Sequence, residues 1–301
     1  MKEPFCALQE FLNKTDVKYE RDVPFSALSY LRLGGVAPLV AHPEEDGELT
    51  ALIRYCKINE IPFRLLGRMS NVLPPSDTYR GLVIMTGDLS DIRFGEKTVT
   101  AGTGRSLPSL ARDLIRLGFS DLTELSGIPA SVGGAVYMNA GAYNKEISDA
   151  LVCARVYDAK ADRTVDLDSS ELGLSYRRSV LMKGEMYLIS ATFRLTPCDS
   201  VLEIFRASEL ARKRRSSQPL DVPSLGSVFK KCDGVSAAYY IDRAGLKGYS
   251  VGGAAVSEKH AGFIVNNGGA VREDYVAVIE HVKRRVHEAF GVELKEEIEY
   301  L

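Results

Sequence analysis

Gly127-Ile128-Pro129-Ala130-Ser131-Val132-Gly133-Gly134-Ala135 is the stretch on which the fold turns, and it runs on to Met138-Asn139-Ala140-Gly141-Ala142-Tyr143. Glycine lets backbone amides approach a phosphate closely and reach positive φ, while Ser and Asn side chains add hydrogen bonds. Two further turns precede it. One is Leu66-Gly67-Arg68-Met69-Ser70-Asn71, directly after a strand, and the other is Gly102-Thr103-Gly104-Arg105-Ser106, between a strand and a helix. None has the spacing of a Rossmann or Walker loop. Singly, each is an ordinary structural turn. Three in order, two of them at strand–turn junctions, point towards a dinucleotide.

The segments around these turns alternate in period. Leu49, Leu52, Ile53 and Cys56 fall at helical spacing between about Glu44 and Asn59, and Pro62 to Gly67 and Gly81 to Met85 read as short strands. Thr98 to Gly104 reads as a strand, followed by a helix capped by Ser106, carrying Leu110, Leu114, Ile115 and Leu117, and stopped by Gly118. From Leu151 to Pro197 strands with polar turns are expected, Met186 to Leu195 the clearest. A charged helix from about Leu202 to Arg215 runs into Gln218-Pro219 and bridges two domains. Beyond it the pattern predicts a helix over about Ala237 to Ala244, a strand within Lys259 to Asn267, and a helix from Asp274 to Phe290 ended by Gly291. Val292 to Leu301 alternates as a half-exposed strand would.

Gly226-Ser227-Val228-Phe229-Lys230 places a serine on a turn expected to feed a short strand, where its hydroxyl is open to a ligand. On its own it is a plain turn serine. The chain has 301 residues, enough for two domains or one large one with an appendage, with 45% hydrophobic and 26% charged residues and a net charge of -2. That balance gives no general attraction to nucleic acid or to anionic membrane. The basic run Arg212-Lys213-Arg214-Arg215 is by itself a solvated helix face. Cys6, Cys56, Cys153, Cys198 and Cys232 are odd in number and lack a C-x-x-C pair, against a disulfide framework or a zinc site. Acid and proline in Met1-Lys2-Glu3-Pro4-Phe5 argue against a signal peptide, and no segment is long and apolar enough to cross a bilayer. The expectation is a soluble cytoplasmic protein without metal.

Taken together, Leu66-Gly67-x-x-Ser70-Asn71, Gly127 to Ala135, Asn139 to Tyr143, Tyr176-Arg177-x-Ser179 and Gly226 to Lys230 resemble one family. So do Ala244-Gly245-Leu246-Lys247-Gly248, Val256 to Phe263 and Leu294-Lys295-Glu296-Glu297-Ile298. The set is similar to the UDP-N-acetylenolpyruvoylglucosamine reductases (MurB) of peptidoglycan precursor synthesis, from about Leu33 to the C-terminus. The resemblance implies an α+β fold: an FAD-binding region of the vanillyl-alcohol-oxidase (PCMH) type in two subdomains, 1–75 and 76–200, then an α+β substrate domain, 201–301. It also implies the shorter form of the enzyme, since Glu185 to Pro197 has no room for the inserted tyrosine-bearing loop of the longer form.

It implies, further, noncovalent FAD and NADPH as hydride donor, with UDP-N-acetylglucosamine enolpyruvate reduced to UDP-N-acetylmuramate. Hydride reaches C3 of the enolpyruvyl ether, and the enolate left at C2 needs cations around its carboxylate and an acid beside C2. On the family's pattern Ser227 is the proton donor, Arg177 stabilises the enolate, and Glu297 polarises it. Cofactor binding falls to Leu66, Gly67, Ser70, Asn71, Gly104, Gly127, Ile128, Pro129, Ser131, Val132, Gly133, Gly134, Asn139, Gly141, Ala142 and Tyr143. Substrate binding falls to Tyr176, Arg214, Lys231, Lys247 and His260, with Arg214 and Lys231 set against the UDP diphosphate.

Two positions depart from the family's pattern. Glycine is usual at Met69 and frequent at Arg68, and a Cβ at Met69 resists positive φ. After Lys230 the family commonly has Asn or Arg followed by Pro, where this chain has Lys231-Cys232. Met69 favours a competing reading, a flavin-deficient paralogue that only binds UDP-sugar. Another is a different FAD oxidase of the same fold, which leaves Ser227 and Glu297 without roles.

Overall fold

The computed structural model describes residues 2–301, with side chains from Ala7 onward. Met1 and the side chains of Lys2 to Cys6, on which the reading of the N-terminus draws, lie outside this description. The chain divides into two compact units, each assembled from separate segments. The first comprises residues up to Arg21, Leu39–Arg68 and Arg80–Ala211; the second comprises Asp22–Pro38, Met69–Tyr79 and Arg212–Leu301.

The first unit holds two sheets. Strands Val36–His42, Leu82–Met85 and Phe63–Leu66 run parallel, in that order, with Leu39 opposite Leu82 and Phe63 opposite Leu82 on its other side. Helix Asp46–Ile58 buries Leu49, Leu52, Ile53 and Cys56, the stripe its spacing predicts. The Glu48 carboxylate accepts the N–H groups of Glu44 (2.7 Å) and Glu45 (3.3 Å), satisfying donors at the helix start. Burial pushes the Cys56 thiol up to about 12, so it is an inert core group.

The second sheet is antiparallel, in the order Arg163–Asp168, Leu151–Asp158, Met186–Arg194, Thr98–Gly102, Ile92–Phe94. Its central strands are buried on both faces. Val156 and Leu188 pack with helices Leu107–Arg116 and Val132–Tyr137, while their neighbours Tyr157 and Ile189 pack with the parallel sheet and its helix. Leu188 and Ile189 are buried side by side between the two cores, and beyond them buried Ala191 and Phe193 alternate with half-buried Ser190 and Thr192.

The second unit carries an antiparallel sheet ordered Ser224–Ser227, Phe263–Asn266, Ala254–Val256, Ser250–Val251. Helix Arg272–Phe290 covers it with Tyr275, Val278, Ile279, Val282 and Val286, and ends at Gly291 in the left-handed region at φ 66. Helix Ala237–Arg243 adds Ala237 and Ile241 to this core. The expected strand over Val292 to Leu301 is mostly irregular. Only Glu299–Tyr300 is strand, paired parallel with Val72–Leu73. Leu294 and Ile298 are both buried, four residues apart, and a regular strand would turn the intervening Glu296 to the core with them. Glu296 instead engages Lys283 (3.0 Å) and Tyr300.

Helix Ser200–Ser217 is longer than expected because Asp199 accepts the N–H groups of Val201 and Leu202 and so caps its start. Among the described residues no helix is long and apolar enough to cross a membrane.

Candidate active site

The three glycine turns converge in the first unit. Leu66 accepts the Thr86 N–H through its carbonyl (2.9 Å), Gly133 donates its N–H to the Thr103 carbonyl (2.7 Å), and Val132 donates to the Arg105 carbonyl (2.8 Å). Ser106 and Ser131 are joined by an isolated antiparallel bridge. Glycine is required for this approach. A Cβ on Gly67 would strike Ser131 Oγ, one on Gly104 would strike the Thr86 carbonyl oxygen, and one on Gly133 would strike Thr103 Oγ1. Thr86 and Thr103, both buried, are site residues that sequence reasoning passes over; Thr103 lies inside the Gly102–Gly104 turn, whereas nothing in the local sequence marks Thr86.

The predicted cofactor residues divide by exposure. Leu66, Gly104, Ser131 and Val132 are buried, Gly67, Ile128, Pro129, Gly133, Gly141 and Ala142 are half-buried, and Gly127, Gly134 and Tyr143 are exposed. Ser131 Oγ accepts the Gly134 N–H (3.1 Å) and caps the short helix Val132–Tyr137. Asn139 is fully buried at φ 41. Its Nδ2 donates to Glu146 (2.8 Å) and to the Ser175 carbonyl (3.1 Å), and its Oδ1 accepts the Ser148 N–H (3.0 Å). The side chain of Asn139 therefore knits its own loop. Tyr143 donates its hydroxyl to the Leu210 carbonyl (3.0 Å).

Arg177 comes to the same loop. Its guanidinium lies 3.4 Å from the Asn139 carbonyl and 3.5 Å from that of Gly141, and 5.0 Å from the centre of the Tyr176 ring. At φ 54 Arg177 occupies the left-handed region, which residues with a Cβ adopt where surrounding structure compels it.

In the second unit Ser227 ends a strand rather than preceding one, after Gly226 at φ 77, and its side chain is exposed. It stands opposite Phe263, and Val228 beyond it donates its N–H to the Gly262 carbonyl (2.9 Å). Glu297 lies alongside. Its N–H donates to the Val228 carbonyl at 2.7 Å, and the Lys230 N–H donates to the Lys295 carbonyl at 2.8 Å. The structure thus brings Ser227 and Glu297 onto adjoining backbone, and it turns Glu296 away to Lys283 and Tyr300.

Met69, Ser70 and Asn71 belong to the second unit. Met69 sits at φ 48 with 2% exposure, so the residue takes the glycine-like conformation and buries its side chain. Of the residues expected to bind substrate, Tyr176 is exposed on the first unit, and the other four lie on the second. Arg214 is half-buried near the end of helix Ser200–Ser217, Lys231 is exposed, and Lys247 pairs with Asp242 at 2.9 Å. His260 Nδ1 accepts the Gly262 N–H (3.1 Å) and its ring meets Phe263 edge-on. Burial holds the His260 pKa below its ordinary 6.5, with Lys247 adding to the effect, so the ring is neutral at pH 7.

A cradle of three turns, closed to any Cβ at Gly67, Gly104 and Gly133, fits the backbone-lined seat that a pyrophosphate-bearing cofactor needs. Residues 37–165 match the model of an FAD binding domain, which makes the chain a flavoprotein of α+β fold. Residues 218–301 match the model of the UDP-N-acetylenolpyruvoylglucosamine reductase C-terminal domain. The reductase of that name from Caldicellulosiruptor saccharolyticus is 39% identical over 96% of this chain and 94% of its own length, and that of Clostridium perfringens is 38% identical over 98% and 96%. The solved structure of the reductase (MurB) from Thermus caldophilus superposes with a TM-score of 0.80 at 35% identity, covering 94% of this chain and 99% of the other. The chain belongs to the UDP-N-acetylenolpyruvoylglucosamine reductase family.

Proposed function

We propose that Ser227, Arg177 and Glu297 are the catalytic residues with which this chain, a reductase of UDP-N-acetylglucosamine enolpyruvate in peptidoglycan precursor synthesis, forms UDP-N-acetylmuramate, and that it works in the cytoplasm. The observation that carries the residue assignment is the junction of Ser227 and Glu297, fixed by the 2.7 Å bond from the Glu297 N–H to the Val228 carbonyl. The chemistry FAD supplies when bound is hydride transfer, from NADPH and on to C3 of the enolpyruvyl ether. Division of labour follows 1–75 and 76–200 for the cofactor and 201–301 for the substrate.

The chain's own groups handle charge and proton. Addition at C3 leaves an electron pair at C2, spread into the carboxylate. Arg177 offers that carboxylate a planar fork of donors, which a lysine lacks. Ser227 Oγ delivers its proton to C2. A serine hydroxyl is a weak acid, yet a carbanionic carbon is basic enough to take its proton when the donor is in place. Glu297 helps in its protonated form or through a hydrogen bond to the arginine, since a bare carboxylate would repel the enolate. Arg214 and Lys231 offset the diphosphate, and Tyr176, Lys247 and neutral His260 complete the substrate contacts, Lys247 by exchanging its Asp242 partner.

Half-reactions test the assignment. Ser227→Ala is expected to leave NADPH-driven flavin reduction nearly unchanged and to slow reoxidation by the enolpyruvyl substrate by about 10²- to 10⁴-fold, the range for a lost general acid. Equal loss in both halves would make Ser227 a structural residue. The same preparation addresses the flavin-deficient reading, because the protein should be yellow and release flavin on denaturation.

A further inference from the structure

Glu297 is held by its main chain on two sides. On one side its N–H meets the Val228 carbonyl, one residue beyond Ser227. On the other, Asn71 Nδ2 donates to the Glu297 carbonyl at 3.0 Å, and the Asn71 carbonyl accepts the Glu299 N–H at 2.9 Å. Val72 and Leu73 then continue in parallel with Glu299 and Tyr300, and the Leu73 carbonyl accepts the Leu301 N–H at 3.1 Å. Beneath this, Leu73, Val228, Phe229, Leu294 and Ile298 share one core. None of the bonds from Asn71 reaches a carboxylate. They fix where the peptide groups flanking the Glu297 Cα lie, and hence the direction in which its side chain leaves the backbone.

We propose that Asn71 is a positioning residue, whose side-chain amide sets Glu297 beside Ser227 for the substrate half of the reaction. The inference rests on the reading of Glu297 given above. An asparagine suits the task because it presents a donor to a carbonyl from a short, stiff side chain. Aspartate has the same shape but would face the Glu297 carbonyl with an acceptor, and a peptide displaced by about 1 Å slows a positioned reaction by up to about 100-fold.

The test compares FAD-loaded wild type, Asn71→Asp, Glu297→Gln and the double variant in both half-reactions, with hydrogen exchange over residues 294–301 read in parallel. With flavin content and NADPH-driven reduction measured on the same FAD-loaded sample as the baseline, Asn71→Asp is expected to slow reoxidation by the enolpyruvyl substrate about 10- to 100-fold beyond any change in that baseline. Exchange of the Glu297 and Glu299 amides should quicken. In the Glu297→Gln background the same change should add less than about twofold, because the residue being positioned is already disabled. Asn71→Ser, too short to reach the carbonyl, carries the comparison if Asn71→Asp does not fold. Loss of flavin with equal slowing of both halves would overturn the proposal and leave Asn71 as a cofactor contact alone. A slow Glu297→Gln beside a fast Asn71→Asp overturns it while sparing the reading of Glu297. A fast Glu297→Gln removes that reading and the proposal with it.

Discussion

The glycine cradle of the first unit and the Ser227–Glu297 junction of the second are both built where distant segments meet, but they are held by opposite means. At the cradle the contacts exist because side chains are missing. Gly104 lies against the Thr86 carbonyl and Gly133 against Thr103, with no room for a methyl group. At the junction the segments are joined by what is present: the Asn71 amide, the N–H of Glu297 and a shared core of Leu73, Val228 and Ile298. Steric exclusion fails abruptly when one atom is added. A hydrogen-bonded junction fails by degrees, since displaced peptides find partial substitutes in water.

Gly104→Ala should therefore give the largest effect. Its Cβ would meet a backbone oxygen rather than the end of a flexible side chain, so relief requires the turn itself to move. A loss of roughly 3 kcal/mol, the upper end of overpacking costs, is expected in urea denaturation, together with reduced flavin content. Gly134→Ala offers the contrast within the same cradle. Its Cβ would stand 3.5 Å from Ser131 Oγ in ordinary contact, inside a helix, and should raise stability by roughly 0.5–1 kcal/mol. Equal losses in the two variants would mean that close approach is not what the cradle glycines provide.

The same contrast explains what the sequence discloses. Helices Asp46–Ile58 and Arg272–Phe290 are legible because a buried stripe recurs within one element, and the second even shows its stop at Gly291. Strand Lys18–Pro24 is invisible, since five of its seven residues are exposed and no alternation survives. The C-terminal segment misleads, because Glu296 looks like one step of an alternating strand until Lys283 and Tyr300 are seen to hold it. The glycine turns could be picked out one by one. Their convergence could not, because Gly104 meets Thr86, which has no local signature, and Gly133 meets Thr103, whose own glycine turn does not tell which segment packs against it.

Met69 sharpens the comparison, for it stands where a glycine is expected and yet behaves as a packed residue. Its φ of 48 costs roughly 1–2 kcal/mol for a side chain bearing a Cβ. Burying a methionine to 2% exposure returns roughly 1.5–3 kcal/mol. A glycine would relieve the strain, lose the packing and add unfolded-chain entropy of roughly 0.5–1 kcal/mol. Met69→Gly should thus lower stability by roughly 1 kcal/mol in urea denaturation. A more stable variant would show that strain outweighs packing at this turn.

The smallest effect is expected from acid. His260 lies on the loop whose Gly262 carbonyl receives the Val228 N–H, so its ring supports the Ser227 strand end from behind. Burial, aided by Lys247, lowers its pKa from 6.5. Between that lowered value and 6.5 the unfolded chain binds more protons than the folded one. Stability is consequently held above pH 6.5 and falls as pH drops through the folded value. His281 shifts the same way, through burial and then Arg284 and Arg285, and shares in the loss. His260→Gln should therefore lose less stability than wild type between pH 7.5 and 5.5, while retaining part of the decline that His281 and the carboxylates contribute. The junction would register this directly, since protection of the Val228 amide from hydrogen exchange, corrected for the intrinsic pH dependence of exchange, should fall with acid in wild type and less so in the variant. The cradle has no histidine among its converging residues, and the corrected protection of the Gly133 amide should stay level over the same range. Parallel loss of protection at both amides would show that acid loosens the whole fold rather than the strand end that carries Ser227.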